Sequence, residues 1–205
     1  LRGLKYGVTK DYVMGVNFWN VEGEYVKSGG KTVKCVTGLN IAQLMVGSEG
    51  TLGVFDEIIL KLVPPPVASK AMLAEFDDIN KASEAVAAII SNKIVPCTLE
   101  FLDNASIKYV DDFTKAGLPR DAAAILLIEV DGGHMALVED DAAKVVEICK
   151  KQGATRVQLA KDAAEKTKLW EARRNALPAL ARARPTTVLE DATVPRSQIP
   201  AMIKA

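Results

Sequence analysis

Val46-Gly47-Ser48-Glu49-Gly50-Thr51-Leu52-Gly53-Val54 sets three glycines at intervals of three inside an otherwise apolar region. The run that follows at once, Val54-Phe55-Asp56-Glu57-Ile58-Ile59-Leu60-Lys61-Leu62-Val63, reads as a strand by its β-branched content. Glycines so placed either permit positive φ or let backbone come close to something flat or anionic. Between them Ser48, Glu49 and Thr51 offer short polar groups for a ligand's hydroxyls and ring atoms. The spacing G-x-x-G-x-x-G is neither the dinucleotide fingerprint nor a phosphate loop, since no Lys-Ser/Thr follows the last glycine. On residues alone, a plain turn and a ligand-contacting turn both stand.

Working outward, Asn40 is placed to cap a short helix, Ile41 to Met45, that leads straight into the glycines. Further upstream, Tyr12 to Trp19 carries strand-type residues, and Val21-Glu22-Gly23-Glu24 turns the chain into a partner at Tyr25-Val26. Lys31 and Lys34 suit a diphosphate or are two solvated lysines. Downstream, Pro64-Pro65-Pro66 ends the strand and stiffens the chain, so a domain boundary is expected there.

After the prolines the pattern alternates. Strands are expected at Ala71–Phe76, Cys97–Leu102, Ala123–Val130 and Thr155–Leu159. Helices follow Asp78 and Asp103, and a third runs from Met135 to Gln152 and is closed by Gly153. Strand-helix-strand twice over is the split βαβ order of a ferredoxin-like antiparallel sheet with helices on one face.

The totals narrow the classes. The 205 residues are 49% apolar and carry zero net charge, enough for one large or two small domains with real cores. A neutral balance with only 5% aromatic residues gives no reason to expect nucleic acid. No apolar run approaches the ~20 residues that span a bilayer. Cys35, Cys97 and Cys149 are far apart and form no C-x-x-C, which fits buried thiols in a reduced compartment and no zinc site. The chain opens in mid-pattern without methionine and is expected to be a piece of a longer protein.

Several polar residues have plain readings. His134, the sole histidine, sits in the turn Asp131-Gly132-Gly133-His134 and reads first as a cap or surface residue. Glu129 with Asp131 makes no metal site without further ligands. Glu139-Asp140-Asp141 suits the first turn of a helix. Arg173 is different. In a helix starting near Asp162, Leu169, Trp170, Ala176, Leu177 and Leu180 share a face with Arg173 in its middle, while Arg174 points about 100° away. An inward arginine needs an anion. Either a protein carboxylate or a bound carboxylate ligand would satisfy it, both through the bidentate fork. Pro178 is expected to break or kink that helix. From Arg156 to Arg184 there are eight basic and three acidic residues, an excess of five that suits an anionic ligand or a docking surface.

Gly47 to Val54, with Lys31-Thr32-Val33-Lys34 and Val36-Thr37-Gly38 upstream, resembles the FAD-binding (PCMH-type) domain of the vanillyl-alcohol-oxidase family. Within it the chain is most similar to the D-2-hydroxyacid dehydrogenase branch, that of the glycolate oxidase flavin subunit and the D-lactate dehydrogenases. Trp170-x-x-Arg173 and Leu189-Glu190-Asp191-Ala192-Thr193-Val194-Pro195-Arg196-Ser197 resemble its substrate domain.

The resemblance implies an α+β chain. Residues 1–66 would be the C-terminal part of the FAD-binding domain, and residues 67–205 an incomplete substrate domain. It further implies FAD contacts at Gly47, Ser48, Glu49, Gly50, Thr51, Gly53 and Val54. Arg173 would hold the carboxylate of a small 2-hydroxyacid substrate. Partners implied are an iron-sulfur or other electron-accepting subunit, in a cytoplasmic setting with peripheral membrane attachment through such subunits. The family's metal-and-base motif, a histidine pair around Gly-Asp-Gly-Asn with a later glutamate, is expected after Ala205. The divalent metal and the catalytic base would lie there, so no catalytic residue is named. The contrasting expectation is a non-enzymatic ferredoxin-like module that binds a small ligand or a partner subunit, with the glycine segment merely structural.

Overall fold

A computed structural model describes residues 2–184, 186–195 and 198–204. The chain divides into two compact units, one of Tyr6–Pro65 and one of residues 2–5 together with those from Pro66 on. The fold is α+β, with two separate antiparallel sheets.

The order of elements is α1 (Gly3–Tyr6), β1 (Val13–Trp19), β2 (Tyr25–Gly29), α2 (Ile41–Met45), β3 (Val54–Leu60), β4 (Ala68–Phe76), α3 (Ile79–Ser91), β5 (Thr98–Asp103), α4 (Asn104–Thr114), β6 (Ala124–Gly132), α5 (Met135–Lys151), β7 (Ala154–Leu159), α6 (Ala163–Arg174), α7 (Ala176–Ala183) and α8 (Ile199–Lys204). No helix among the described residues is long and apolar enough to cross a membrane.

In the smaller unit the strands lie in the order β2-β1-β3. Asn20 closes the β1–β2 turn, its Oδ1 accepting from the amides of Glu22 and Glu24. Asn40 caps α2 as expected, accepting from the Gln43 amide at 3.1 Å. Ala42 and Met45 of α2 pack on Val13, Val16 and Phe18, a small core in keeping with a three-stranded sheet. β3 stops at Leu60, three residues short of expectation, because Leu60 already faces Val13, where its partner strand begins.

In the larger unit the order β5-β6-β4-β7 is the split βαβ arrangement. Alternation in the central strands builds two layers. Met72, Ala74 and Phe76 of β4 and Leu126, Ile128 and Val130 of β6 face α3 and α5, the helical layer the sequence leads one to expect. The opposite residues, Leu73, Ile125 and Leu127, are covered by α4, α6 and α7 through Ile107, Val110, Ala172 and Ala179. That second layer buries both faces of β6, which explains its near-continuous apolar run.

The helix expected to start near Asp162 and to break or kink at Pro178 does break, and two helices form. Pro178 has no N–H, and its ring would crowd the carbonyl of Arg174, four residues back, so α6 ends at that residue. Pro178 then falls in the first turn of α7, where it costs little. The helix start expected at Arg196 and Ser197 lies outside the described residues.

Candidate functional site

The glycine segment forms an exposed turn between α2 and β3. Gly47, Glu49 and Gly50 all take positive φ, of 91°, 51° and 81°. For Glu49 this conformation is strained by about 1 kcal/mol or more. The turn is closed by Thr51, whose amide and hydroxyl both donate to the Ser48 carbonyl, at 2.9 and 2.6 Å. Among the described residues, the Glu49 and Gly50 amides donate to nothing. Ser48 Oγ is buried and has no hydrogen-bond partner. A Cβ at Gly47 or Gly50 would meet only open space. Gly53 has another reason to be glycine: a Cβ there would stand 2.6 Å from the Trp19 carbonyl oxygen of β1. An orphaned hydroxyl, free amides and a strained backbone fit a flat ligand with a hydrogen-bonding edge, and FAD is such a group. Val54 starts β3 and Gly53 lies against β1, so both answer to the sheet as well.

In the other unit, the sheet face below α6 is apolar at one end and charged at the other. Cross-strand pairing sets Thr98 opposite Glu129, Glu100 opposite Leu127 and Ser69 opposite Asp131. Glu129 and Asp131 are 2% and 4% exposed, a burial that carboxylates tolerate only with partners. The partners are cations from α1 and α6. Lys5 Nζ lies 2.6 Å from Asp131 Oδ1. Lys166 Nζ lies 2.6 Å from Glu129 Oε1, an ion pair without hydrogen-bond alignment. Arg2 stands 4.0 Å from the same oxygen, its side chain half exposed. Cys97 is buried under this layer, its Sγ donating to the Glu129 carbonyl. Burial, with the charges of Glu129 and Asp131, pushes its thiol up to about 12. Burial alone does the same at Cys149. Cys35, expected to be buried, is exposed.

Arg173 does not sit in the middle of an apolar face. The buried stripe of α6 and α7 is Ala172 and Ala179, flanked by partly buried Leu169, Trp170 and Ala176, while Leu177 is exposed. Arg173 lies at the margin of this stripe, one third exposed, with Nε 3.2 Å from Glu100 Oε2. The protein carboxylate is therefore present, and the guanidinium still lines an open hollow of ≈ 590 Å³. Arg2, Lys166 and Arg174 line it too, with Thr98 and Trp170. Arg174 thus shares the hollow that sequence spacing had turned it away from. Trp170 Nε1 is buried at its wall without a partner. Sequence reading missed Glu100, Lys166 and Arg2. Glu129 and Asp131, charges within a run of buried β-residues, were the signal that cations had to come. Among the described residues, no group of three or more His, Cys, Asp or Glu side chains is placed to hold a metal.

This architecture and sequence belong to a known family: residues 65–205 match the FAD linked oxidases, C-terminal domain, and the chain is a member of that family. It is 52% identical over its whole length to the glycolate oxidase subunit GlcD of Bacillus subtilis (strain 168), of which it covers 43%. Against the subunit of the same name from Escherichia coli (strain K12) it is 41% identical over 98% of its length, covering 40%. It is 30% identical to a D-lactate dehydrogenase of Anaerostipes hadrus over 88% of its length, covering 39%. The chain therefore spans less than half of each of these relatives. Among solved structures, an alkyldihydroxyacetonephosphate synthase superposes with a TM-score of 0.66 at 20% identity, over 89% of this chain and 34% of that one. A p-cresol methylhydroxylase gives 0.55 at 17% identity, over 78% and 37%. At such identities the likeness is one of fold.

Proposed function

We propose that the protein containing this chain oxidises a small 2-hydroxyacid, of the glycolate or D-lactate type, to the 2-oxoacid. The cationic hollow around Arg173 is the observation that carries this reading. Cations outnumber carboxylates there, an arginine is held ready at its edge, and the space admits a molecule of a few heavy atoms. The names of the relatives, glycolate oxidase subunit and D-lactate dehydrogenase, point to the same chemistry.

In this reading Gly47, Ser48, Glu49, Gly50, Thr51, Gly53 and Val54 make one part of the FAD surface. Bound FAD would supply the acceptor for the substrate's α-hydrogen as hydride. Ser48 Oγ and the Glu49 and Gly50 amides would meet its polar edge. Arg173 would fix the substrate carboxylate, and with it the direction of the α-carbon; that positioning is the contribution of this chain. No base and no metal ligand is assigned among residues 1–205. The boundary between the flavin and substrate domains is placed at Pro64–Pro66. A partner subunit that accepts electrons, in the cytoplasm or at a membrane surface, fits a relative described as a subunit.

The test is Arg173→Ala in the full-length protein. Catalytic efficiency toward glycolate should fall by roughly 2–5 kcal/mol of transition-state stabilisation. The melting temperature should hold, because Glu100 and Arg173 both keep contact with water. Arg174→Ala should give a smaller loss. Collapse of the melting temperature with efficiency intact would make Arg173 a structural residue only.

A further inference from the structure

We infer that Glu100 is a positioning residue for Arg173, holding its guanidinium so that only the two terminal nitrogens are presented to a carboxylate in the hollow. The inference rests on the reading of Arg173 as the carboxylate anchor.

A guanidinium can receive a carboxylate in two bidentate ways, side-on through Nε and one Nη, or end-on through both Nη groups. In this structure Nε is the guanidinium atom held nearest Glu100, 3.2 Å from Oε2, an ion pair without hydrogen-bond alignment. That sets the carboxylate beside the side-on edge, and neither terminal nitrogen makes a hydrogen bond among the described residues, so the end-on pair is the one turned to a ligand. Glu100 itself is well fixed. It stands on β5 between Thr98 and Leu102, which share its face of the sheet, and Leu102 is packed into the core. Its side chain is one fifth exposed, so it has lost much of its freedom before any ligand arrives. Arg173 is by contrast a long side chain at the last turn of a helix that ends one residue later. Without a second point of attachment it would spread over several rotamers, and a ligand would have to select one of them. Glu100 removes that cost in advance. The same carboxylate also partly offsets the charge of Arg173. Its loss therefore leaves the hollow more cationic yet less ordered, and the two effects push affinity in opposite directions.

The experiment uses the full-length protein with its flavin oxidised and glyoxylate as ligand, so that no turnover intervenes. Dissociation constants come from calorimetry, with thermal melts alongside. Glu100→Ala is expected to weaken binding ~10-fold, while Glu100→Gln, whose amide oxygen can stand beside Nε in the same place, should stay within ~3-fold. Glu100→Asp keeps the charge but falls one methylene short, and should behave like alanine. The double variant with Arg173→Ala should bind no more weakly than Arg173→Ala alone. Should Glu100→Ala not fold, the Gln and Asp pair still decides. Weak Gln with normal Asp would mean that charge matters and position does not, which overturns the inference. So would unchanged binding in Glu100→Ala while Arg173→Ala is impaired; the carboxylate site would then survive without its positioning residue. Unchanged binding in Arg173→Ala would instead remove the functional reading itself, and this inference with it.

Discussion

Lys166 on α6 reaches down between two strands, its Nζ 2.6 Å from Glu129 Oε1 on β6 and 2.6 Å from Ser69 Oγ on β4. Glu129 is nearly enclosed, and Lys166 keeps about a third of its side chain in water. The pair thus ties the helix that carries Arg173 to the middle of the sheet.

Removing one member should therefore be worse than removing both. Lys166→Met strands a buried carboxylate and should destabilise by about 3 kcal/mol, somewhat less if Arg2 moves closer. Lys166→Met with Glu129→Leu should recover most of that loss. Urea denaturation of the three proteins measures it. Equal losses in the single and double variants would mean that the carboxylate is not desolvated.

The two enclosed thiols predict an alkaline loss of stability. Their folded values, about 12, lie above the ordinary cysteine value near 9. Above that value the unfolded chain releases protons that the folded chain retains, so unfolding becomes easier as pH rises. Below it the contribution is complete. Each thiol should add a slope of up to ~1.4 kcal/mol per pH unit between about pH 9 and 12. Cys149→Ala should flatten the profile over pH 9 to 11, and an unchanged slope would count against burial at this site. At neutral pH only Cys35 should react with a thiol reagent in the native protein.

Two glycines of one segment should respond differently. Gly50→Ala meets open space and suffers only its positive φ, about 1 kcal/mol. Gly53→Ala drives a methyl against the Trp19 carbonyl and should cost more, about 2–3 kcal/mol. Thermal melts rank them. Flavin content should rank them in reverse for equal stability, since Gly50 belongs to the open turn and Gly53 to the sheet.

The proposed boundary at the prolines makes a piece beginning at Ala68 able to fold cooperatively. It would lack Lys5, one partner of a carboxylate with no exposed side-chain surface. Asp131→Asn should accordingly destabilise that short piece less than it destabilises the intact protein. Circular dichroism melts of the four proteins test this, and an equal effect in both contexts would show Lys5 to be unimportant.

The sequence made the sheet legible because its strands carry strong signals. Ala124 to Val130 is a bulky apolar run, and Asp78 and Asp103 announce their helices by capping them, at 2.7 and 2.9 Å. The second helical layer was harder to read. Its contact stripe on α6 and α7 is made of alanines, Ala172, Ala176 and Ala179, which carry little apolar weight, so Leu177 and Leu180 pulled the expected face round toward Arg173. Gly47 to Gly53 were legible as a special turn, but not that Gly53 answers to the Trp19 carbonyl. Glu100 was hidden because its meaning depends on Arg173, 73 positions later, and no periodicity links an edge strand to a helix end.

The bond between Lys5 and Asp131 joins positions 126 apart in sequence. On a ribosome the lysine emerges long before the strand that will receive it, and all of β1 to β5 must pass through the tunnel in between. Closing a flexible loop of that length costs ~4 kcal/mol of chain entropy. Prior folding of residues 6–65 shortens the effective loop, so the small sheet would act as a splint in time as well as a structure. Residues 2–5, made before the strand that receives them, are then among the last of this stretch to find their place.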